Sequence, residues 1–208
     1  MNKIRLLLFP LAILYTLITS LRNILFDLKV FKSHEFETPL IGIGNLSSGG
    51  TGKTPMVEYI FKFFSNEFKL ALLSRGFKRS TSGYIKANPF SDSNEIGDEP
   101  FQIFSKFNHI DVAVDENRVR GVKNLLKDSA NLQSIVLDDC FQHRSVSLQL
   151  NILLTTYRSP FYTDFVLPCG DLRELKSGYK RADLVAVSYT HLRAHETPEH
   201  LVCRLLLE

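Results

Sequence analysis

Cysteine is scarce in this sequence, and its spacing argues against two kinds of structural cross-link. Only three of the 208 residues are cysteines, namely Cys140, Cys169 and Cys203. An odd number of cysteines, with no CxxC pair and no Cys/His ligand spacing, supports neither a disulfide framework nor a zinc site. This cysteine usage is typical of a protein in a reducing cytosol.

An excess of one charge is also missing. The chain has 25 Lys and Arg against 22 Asp and Glu, and its formal net charge of +3 is too small to indicate a nucleic-acid partner. The basic excess lies in the first thirty residues, which contain the four basic residues Lys3, Arg5, Arg22 and Lys29 and one acidic residue, Asp27. The remainder is neutral, and nothing in it predicts an obligatory protein partner.

One long uncharged run is present, from Leu6 to Leu21, with basic residues on both sides. It is shorter than the roughly 20 apolar residues of a straight membrane span. Pro10 is expected to kink it, so an interfacial helix and a full crossing both remain open. The basic flanks favour the cytoplasmic leaflet, and we assign residues 1–30 to an N-terminal membrane-associated helix. A cleaved signal peptide is the competing interpretation, but the nucleotide-binding loop that follows needs cytosolic ATP.

Beyond this run, short β-rich segments alternate with helical ones. We predict strands at residues 40–43, 70–73, 109–114, 134–137, 148–154 and 183–187, and helices at 55–64 and 116–127. Residues 79–94, rich in Ser and Asn, form the one long irregular excursion and are a candidate substrate or lid loop. The order predicts an α/β fold of the P-loop NTPase type, with a parallel sheet covered by helices on both faces and ligands at the carboxyl ends of the strands.

Residues 44–54 carry the strongest motif, because they follow an apolar strand and precede a helix. Their glycine-rich sequence is typical of a phosphate-binding loop, in which backbone N–H groups and the N-terminus of the following helix surround phosphate oxygens. Lys53 can reach the β- and γ-phosphates of ATP, and the Thr54 hydroxyl suits Mg²⁺. Ser47 stands where the strict motif has glycine, and Gly49 and Gly50 are expected to supply the flexibility. The predicted nucleotide-binding residues are Ser47, Ser48, Gly49, Gly50, Thr51, Gly52, Lys53 and Thr54.

Two acidic sites accompany the loop. Asp138 and Asp139 end an apolar strand, the usual position of the second magnesium ligand in P-loop enzymes. We expect Asp138 to bind the metal, directly or through water, and Asp139 to contribute to the same site. Two aspartates at a strand end also commonly start a turn, which is the alternative interpretation. Asp98 precedes a helical stretch with a proline, and spacing alone predicts that it is an N-cap.

The order of these motifs resembles the tetraacyldisaccharide 4'-kinases, the lipid A 4'-kinases of Gram-negative bacteria. The resemblance covers residues 1 to about 187. It rests on the N-terminal apolar helix and on the segments Gly-Asn-Leu (44–46), Gly-Gly-Thr-Gly-Lys-Thr-Pro (49–55), Leu-Ser-Arg-Gly (73–76), Gly-Asp-Glu-Pro (97–100), Asp-Asp-Cys-Phe-Gln-His-Arg (138–144) and Leu-Pro-Cys-Gly-Asp-Leu-Arg-Glu (167–174).

The resemblance implies an ATP- and Mg²⁺-dependent kinase at the cytoplasmic face of the bacterial inner membrane. It would phosphorylate the 4'-hydroxyl of a lipid A disaccharide precursor. Asp98 would accept the hydroxyl proton, Lys53 would hold the triphosphate, and Thr54 with Asp138 would hold the metal. Further candidates for contacts with substrate or phosphate are Arg75, Glu99, Arg118, Gln142, His143 and Arg173. A packed histidine is an equally good interpretation of His143.

The last residues depart from this pattern. With suitable codons, residues 187–197 and 200–208 back-translate to nucleotide sequences that resemble the two ends of a transposase-type sequencing adapter. We therefore expect residues 31–187 to be a truncated kinase core and residues 188–208 to be a non-native tail. Family members continue with a second lobe, so we expect the chain as written to fold poorly and to have little kinase activity.

Two rival functions remain open at this stage. One is another P-loop ATPase, since residues 48–54 also resemble the loop of partitioning ATPases, although those have Lys where Ser48 stands. The other is a membrane-anchored nucleotide-dependent switch that binds ATP and a partner protein. The acidic motifs at residues 97–100 and 138–144 count against the first rival.

Overall fold

The fold is described from a computed structural model that covers residue 5, residues 7–189 and the backbone of residues 202–204. In chain order the regular elements are α1 (Phe9–Asp27), β1 (Leu40–Asn45), α2 (Lys53–Phe64), β2 (Leu70–Ser74), β3 (Ile85–Lys86), α3 (Ser93–Ile96), α4 (Asp98–Lys106), β4 (Asp111–Val114), α5 (Arg118–Asp128), β5 (Ser134–Leu137), β6 (Leu150–Thr156), two 3₁₀ turns (Phe161–Thr163 and Lys176–Arg181), β7 (Leu184–Ser188) and β8 (Val202–Arg204). All predicted strands and helices are present, with ends shifted by a few residues.

The chain forms two compact units, which we call the first and the second unit. The first contains Met1–Lys32, Gly44–Gly52 and Asn151–Glu208, and the second contains Ser33–Ile43 and Lys53–Leu150. The first unit is therefore assembled from three separate stretches of sequence.

In the second unit the strands lie in the order β3-β4-β2-β5-β1. All neighbours are parallel except β3, which runs antiparallel to β4. Strands β2 and β5 are buried along their whole length, which explains their uninterrupted apolar runs. The carboxyl ends of β4, β2 and β5 lie side by side, because Leu73 of β2 pairs with Leu137 of β5 and Ser74 of β2 pairs with Val114 of β4.

One hydrophobic core cluster of the second unit is formed mainly by strand residues together with Val122 and Leu125 of α5. It is made of Leu40, Ala71, Leu73, Ala113, Val122, Leu125, Leu132, Ile135, Leu137, Cys140 and Val146. Gly121 lets α5 approach the sheet, since a Cβ there would lie 2.8 Å from the Leu73 side chain. Close packing of this helix fixes the N-terminal turn that carries Arg118.

In the first unit β6 and β7 are parallel, and β8 is antiparallel to β7. The prediction of a parallel sheet is confirmed for the main strands but is wrong for β3 and β8. The irregular excursion at residues 79–94 contains β3, because two of its residues pair with the edge of β4. Apart from Ser188, Tyr189 and the backbone of β8, the tail predicted to be non-native lies outside the described residues.

Helix α1 is the described helix that is long and apolar enough to cross a membrane, judged by length and composition. Pro10 lies in its first turn, where a missing N–H costs nothing, so the predicted kink is absent. One side of the helix is attached to its own unit. Arg5 pairs with Asp171, the Tyr15 hydroxyl donates to the Arg173 carbonyl, and Asn23 donates to Glu174.

The opposite side of α1 is apolar and exposed. Leu11, Leu14, Leu17, Ile18 and Leu21 recur at helical spacing, and each has roughly half or more of its surface accessible. The helix therefore has a docked polar side and an uncovered apolar side.

Candidate functional site

The glycine-rich loop of the first unit is closed by Asn45, the last residue of β1. Its side-chain amide donates to the Thr51 hydroxyl at 2.8 Å and to the Gly49 carbonyl at 3.3 Å. Asn45 is fully buried, so these bonds form where water does not compete. Our prediction assigned no role to Asn45, although a polar residue at the end of a buried strand was a usable signal.

The first half of the loop is held by the segment at residues 171–173. The Ser48 amide donates to the Asp171 carbonyl, and Ser47 forms an antiparallel bridge with Leu172. Ser47 therefore needs no left-handed backbone, which explains why serine is accepted where the strict motif has glycine. Ser48, Gly49 and Gly50 are exposed, whereas Thr51 is buried.

Gly52 closes the loop in a conformation that favours glycine. Its φ is +88°, and a Cβ there would lie 3.2 Å from the Ser188 Cβ. Gly49 also has a positive φ, of +133°, but with open space around it. The backbone therefore turns sharply within the exposed stretch and again just after it, as a loop that wraps around a ligand requires.

Helix α2 of the second unit begins at Lys53, so that Lys53 and Thr54 lie in its first turn. The Lys53 ammonium lies 3.5 Å from an Asp139 carboxylate oxygen, and its side chain is mostly buried. Asp139 has a φ of +47°, a conformation that aspartate tolerates better than most residues. The structure thus brings together a lysine and an aspartate that are far apart in sequence.

Asp138 follows β5 directly and is 5% exposed. Its Oδ1 has no hydrogen-bond partner among the described residues. The pKa of Asp138 is raised to about 6, mainly by burial and also by the charges of Glu99 and Asp139, while Lys53 and Arg118 oppose the rise. A buried carboxylate oxygen without a partner is the kind of atom that a cation would satisfy.

Asp98 and Glu99 are both exposed in the first turn of α4. The prediction that Asp98 caps the helix is wrong, because the N-cap is Gly97 and Asp98 is the first helical residue. Gly97 has a φ of +92°, and a Cβ there would lie 3.0 Å from the Phe77 carbonyl. This close approach brings the turn containing Arg75, which is exposed after β2, against the start of α4.

Arg118 is 1% exposed, and its guanidinium binds main-chain oxygens. It donates to the carbonyls of Asp115 and Asp138 at 2.6 and 2.8 Å, and burial lowers its pKa. Asp115, also buried, accepts two bonds from Arg120. Arg118 therefore joins the carboxyl ends of β4 and β5, a role that spacing could not indicate.

The remaining candidates are half-buried. Gln142 and His143 lie in the turn after β5, where the His143 amide donates to the Cys140 carbonyl. Arg173 lies in the first unit, where its amide donates to the Leu46 carbonyl at 2.7 Å. The second unit thus gathers Lys53, Glu99, Arg118, Asp138 and Asp139, while Arg173 is placed beside the start of the loop.

Known proteins are similar to this chain over most of its length. The model of a family described as Tetraacyldisaccharide-1-P 4'-kinase matches residues 4–205. A Tetraacyldisaccharide 4'-kinase of Flavobacterium psychrophilum is 52% identical over 188 residues, which are 90% of this chain and 55% of the relative. One of Bacteroides fragilis is 49% identical over 187 residues, 89% of this chain and 50% of the relative. The chain spans about half the length of these curated relatives.

A solved structure is similar as well. The crystal structure of LpxK from Aquifex aeolicus in complex with ATP is 34% identical and has a TM-score of 0.83; the match covers 93% of this chain and 62% of that one. The predicted P-loop kinase fold is confirmed by this likeness. The chain therefore belongs to the Tetraacyldisaccharide-1-P 4'-kinase family.

Proposed function

We propose that the protein transfers the γ-phosphate of ATP to the 4'-hydroxyl of tetraacyldisaccharide 1-phosphate during lipid A biosynthesis. The observation that carries the proposal is the buried carboxylate of Asp138, which lies among Lys53, Glu99 and Asp139 in a chain of this family. The relatives are named as kinases of this substrate, and the Aquifex aeolicus structure holds ATP.

The loop and Lys53 would bind the triphosphate. Residues 47–52 form a bent, largely exposed backbone, and Lys53 and Thr54 follow without interruption at the start of α2. Backbone N–H groups and a helix N-terminus favour anions, and the lysine ammonium adds a full positive charge. Pairing with Asp139 keeps Lys53 oriented until phosphate oxygens replace that partner.

Magnesium fits the residues present. Mg²⁺ usually takes one or two carboxylates and fills its other positions with water and phosphate oxygens. Asp138, through its unpartnered Oδ1, and Thr54 would hold the ion, with Asp139 beside them. When bound, the ion would neutralise charge on the phosphates.

The acceptor side of the reaction would use Asp98. Its exposed carboxylate could take the proton of the 4'-hydroxyl as the oxygen attacks the γ-phosphorus and the bond to the β-phosphate oxygen breaks. Arg75, which is exposed nearby, and Arg173 are the proposed phosphate contacts. Arg118 would act indirectly, because it donates to the Asp138 carbonyl and so fixes the strand end that carries the carboxylate. Glu99, Gln142 and His143 would line the acceptor side.

We further propose that α1 attaches the protein to the cytoplasmic face of the bacterial inner membrane and lies in the interface. Arg5 just before the helix, and Tyr15 and Asn23 within it, form polar contacts with protein on one side. A helix held in this way cannot be surrounded by lipid, but its exposed leucines can enter one leaflet. This position would bring the site to a substrate whose acyl chains stay in the bilayer.

The decisive experiment uses a chimera in which residues 1–187 are joined to the remaining part of the Flavobacterium psychrophilum relative. We expect it to transfer labelled phosphate from ATP to tetraacyldisaccharide 1-phosphate in mixed micelles. Asp98→Asn should lower the rate by about a hundredfold or more while ATP binding is kept. Asp92→Asn, which changes an exposed acidic helix cap upstream, is the control and should retain transfer.

Two results would contradict the proposal. If the chimera hydrolyses ATP at the same rate with or without the lipid and never labels it, the protein is an ATPase or a nucleotide-dependent switch. If Asp98→Asn transfers phosphate as fast as the unsubstituted chimera, Asp98 is not the base.

A further inference from the structure

A groove of about 650 Å³ lies in the second unit along one side of α5. The helix lines it from Arg118 to Lys127, and the opposite wall includes His34, His143 and Ser145. At 1.5 Å per residue the lined part of the helix is about 14 Å long, which is enough for a sugar and its phosphate. The groove is therefore elongated, and every residue that lines it except Val119 has a polar or charged side chain.

The charge of the groove is positive after internal pairing is considered. Glu116, which also lines it, is already bound by Arg79 and Arg120, and Arg120 is bound to Asp115 as well. Lys123 and Lys127 are exposed one helical turn apart, and in the part of the chain that the structure describes neither forms an ion pair.

Two lysines at this spacing repel each other and destabilise the helix slightly. On the facing wall, the Nδ1 of His34 lies 3.3 Å from the Ser145 carbonyl. Lys123 and Lys127 are therefore the cationic groups that the groove offers to an external anion.

Arg118 connects the groove with the acidic site. Arg118 lines the groove although only 1% of its surface is exposed. Its Nε has no hydrogen-bond partner among the described residues. The same guanidinium donates to the Asp138 carbonyl. A ligand in the groove would therefore have one end next to the strand that carries Asp138.

We propose that this groove binds the 1-phosphate of the disaccharide headgroup, with Lys123 and Lys127 as its cationic contacts. The assignment rests on the proposed function, because it takes the acceptor to be a disaccharide with a 4'-hydroxyl at one end and a phosphate at the other. With the hydroxyl at Asp98, the phosphate must lie away from the acidic site, and the groove leads away from it along α5. The lysines would distinguish the phosphorylated lipid from its dephosphorylated form.

The first test uses the chimera with glucosamine 1-phosphate as the probe, and NMR measures the shifts of the lysine and histidine side chains. We expect shifts at Lys123, Lys127 and His34, and about tenfold weaker binding by the double variant Lys123→Gln, Lys127→Gln. The matched control, Lys62→Gln with Lys69→Gln, removes two exposed lysines of the same unit that lie outside the groove and should bind like the parent.

Three results would overturn the assignment. One is the absence of shifts in the groove, another is equal weakening in the control variant, and the third is binding of inorganic phosphate as tight as that of the sugar phosphate. The last would mean a general anion site that does not recognise the headgroup. Glucosamine without phosphate should not bind.

A second test separates this proposal from the proposed function. In the chimera, the double variant should raise KM for tetraacyldisaccharide 1-phosphate about tenfold and leave KM for the 1-dephosphorylated lipid unchanged. Equal KM values in variant and parent would overturn the groove assignment while transfer itself stands. Absence of transfer by the unsubstituted chimera would instead overturn the proposed function.

Discussion

At the scale of single residues, Asp138 is the clearest case of a group held in an unfavourable state. It is buried, its Oδ1 has no partner, and its pKa is raised from 3.8 to about 6. The folded chain therefore binds this proton more tightly than the unfolded chain does. The free energy of unfolding therefore falls as the pH rises from 3.8 to about 6, and the full destabilisation remains at higher pH.

Asparagine at position 138 should remove that cost. The rise of the Asp138 pKa from 3.8 to about 6 corresponds to about 3 kcal/mol of stability. Asp138→Asn should therefore raise the free energy of unfolding by up to this amount at pH 8 in the absence of divalent metal. The gain should disappear near pH 4, where the aspartate is protonated in the folded chain. Urea denaturation at both pH values measures it, and a variant less stable than the parent at pH 8 would contradict the argument.

Asp139→Asn is the matched control for this prediction. Asp139 is about one-third exposed and pairs with Lys53 at 3.5 Å. Loss of this partly exposed pair, set against relief of the repulsion between Asp139 and Asp138, should change stability by no more than about 1 kcal/mol in either direction. The comparison separates the cost of burial from the general effect of removing a carboxylate.

Residue roles differed in how far the sequence could reveal them. Lys53, Thr54 and Asp138 could be proposed from the local sequence, because a glycine-rich loop before a helix is typical of phosphate binding and a metal-binding aspartate often follows an apolar strand. Arg118 is different. Its bond to the Asp138 carbonyl spans 20 residues and depends on the packing of α5 against two strands, which periodicity does not specify.

At the scale of elements, α5 is positioned by one glycine. A Cβ at Gly121 would lie 2.8 Å from both Leu73 methyl groups and 3.0 Å from the Asp115 Cβ, and Leu73 is fully buried. Gly121→Ala should therefore lower stability by about 1 kcal/mol or more, even though alanine favours the helix by about that amount. Because Arg118 lies one turn earlier, magnesium-dependent ATP binding should weaken as well.

Thermal denaturation and nucleotide titration of the variant measure both effects. Lys127→Ala on the same helix, where the side chain is exposed, serves as control and should change stability by less than about 0.5 kcal/mol. A more stable Gly121→Ala variant would show that α5 can move away from the sheet without cost.

Helix α1 allows a second prediction at this scale. Leu14 and Leu21 are two turns apart on the exposed side, with 55% and 58% of their surface accessible. Each leucine that enters lipid contributes about 1.5–3 kcal/mol. The double variant Leu14→Lys, Leu21→Lys should therefore bind phosphatidylethanolamine–phosphatidylglycerol vesicles at least about tenfold more weakly in a flotation assay.

The control replaces two exposed aromatic residues of the second unit. Phe63 and Phe68 are 53% and 44% exposed, and Lys at both positions removes comparable apolar surface outside α1. This variant should bind vesicles like the parent. If it loses binding as strongly as the leucine variant, vesicle attachment does not depend specifically on α1.

At the scale of the whole chain, the sequence revealed the order of the elements but not their division into units. The first unit contains residues from three stretches, because the loop at residues 44–52 packs with Asp171, Leu172 and Arg173. Such contacts join positions more than a hundred residues apart, and no local pattern encodes them. The antiparallel strand β3 escaped prediction for a related reason, since two residues are too few to show alternation.

The extent of the chain leads to the last prediction. The chain spans 55% of the Flavobacterium psychrophilum relative, and phosphoryl transfer needs a phosphate loop, a metal, a base and charge-neutralising groups in place together. We expect the 208-residue chain to transfer little phosphate to the lipid, and the chimera to transfer it at a rate close to that of the relative. Both proteins are assayed with the same labelled ATP and micelles, and Lys53→Ala in the chimera is the control that should lose ATP binding. Transfer by the 208-residue chain as fast as by the chimera would show that residues 1–208 already contain every group the reaction needs.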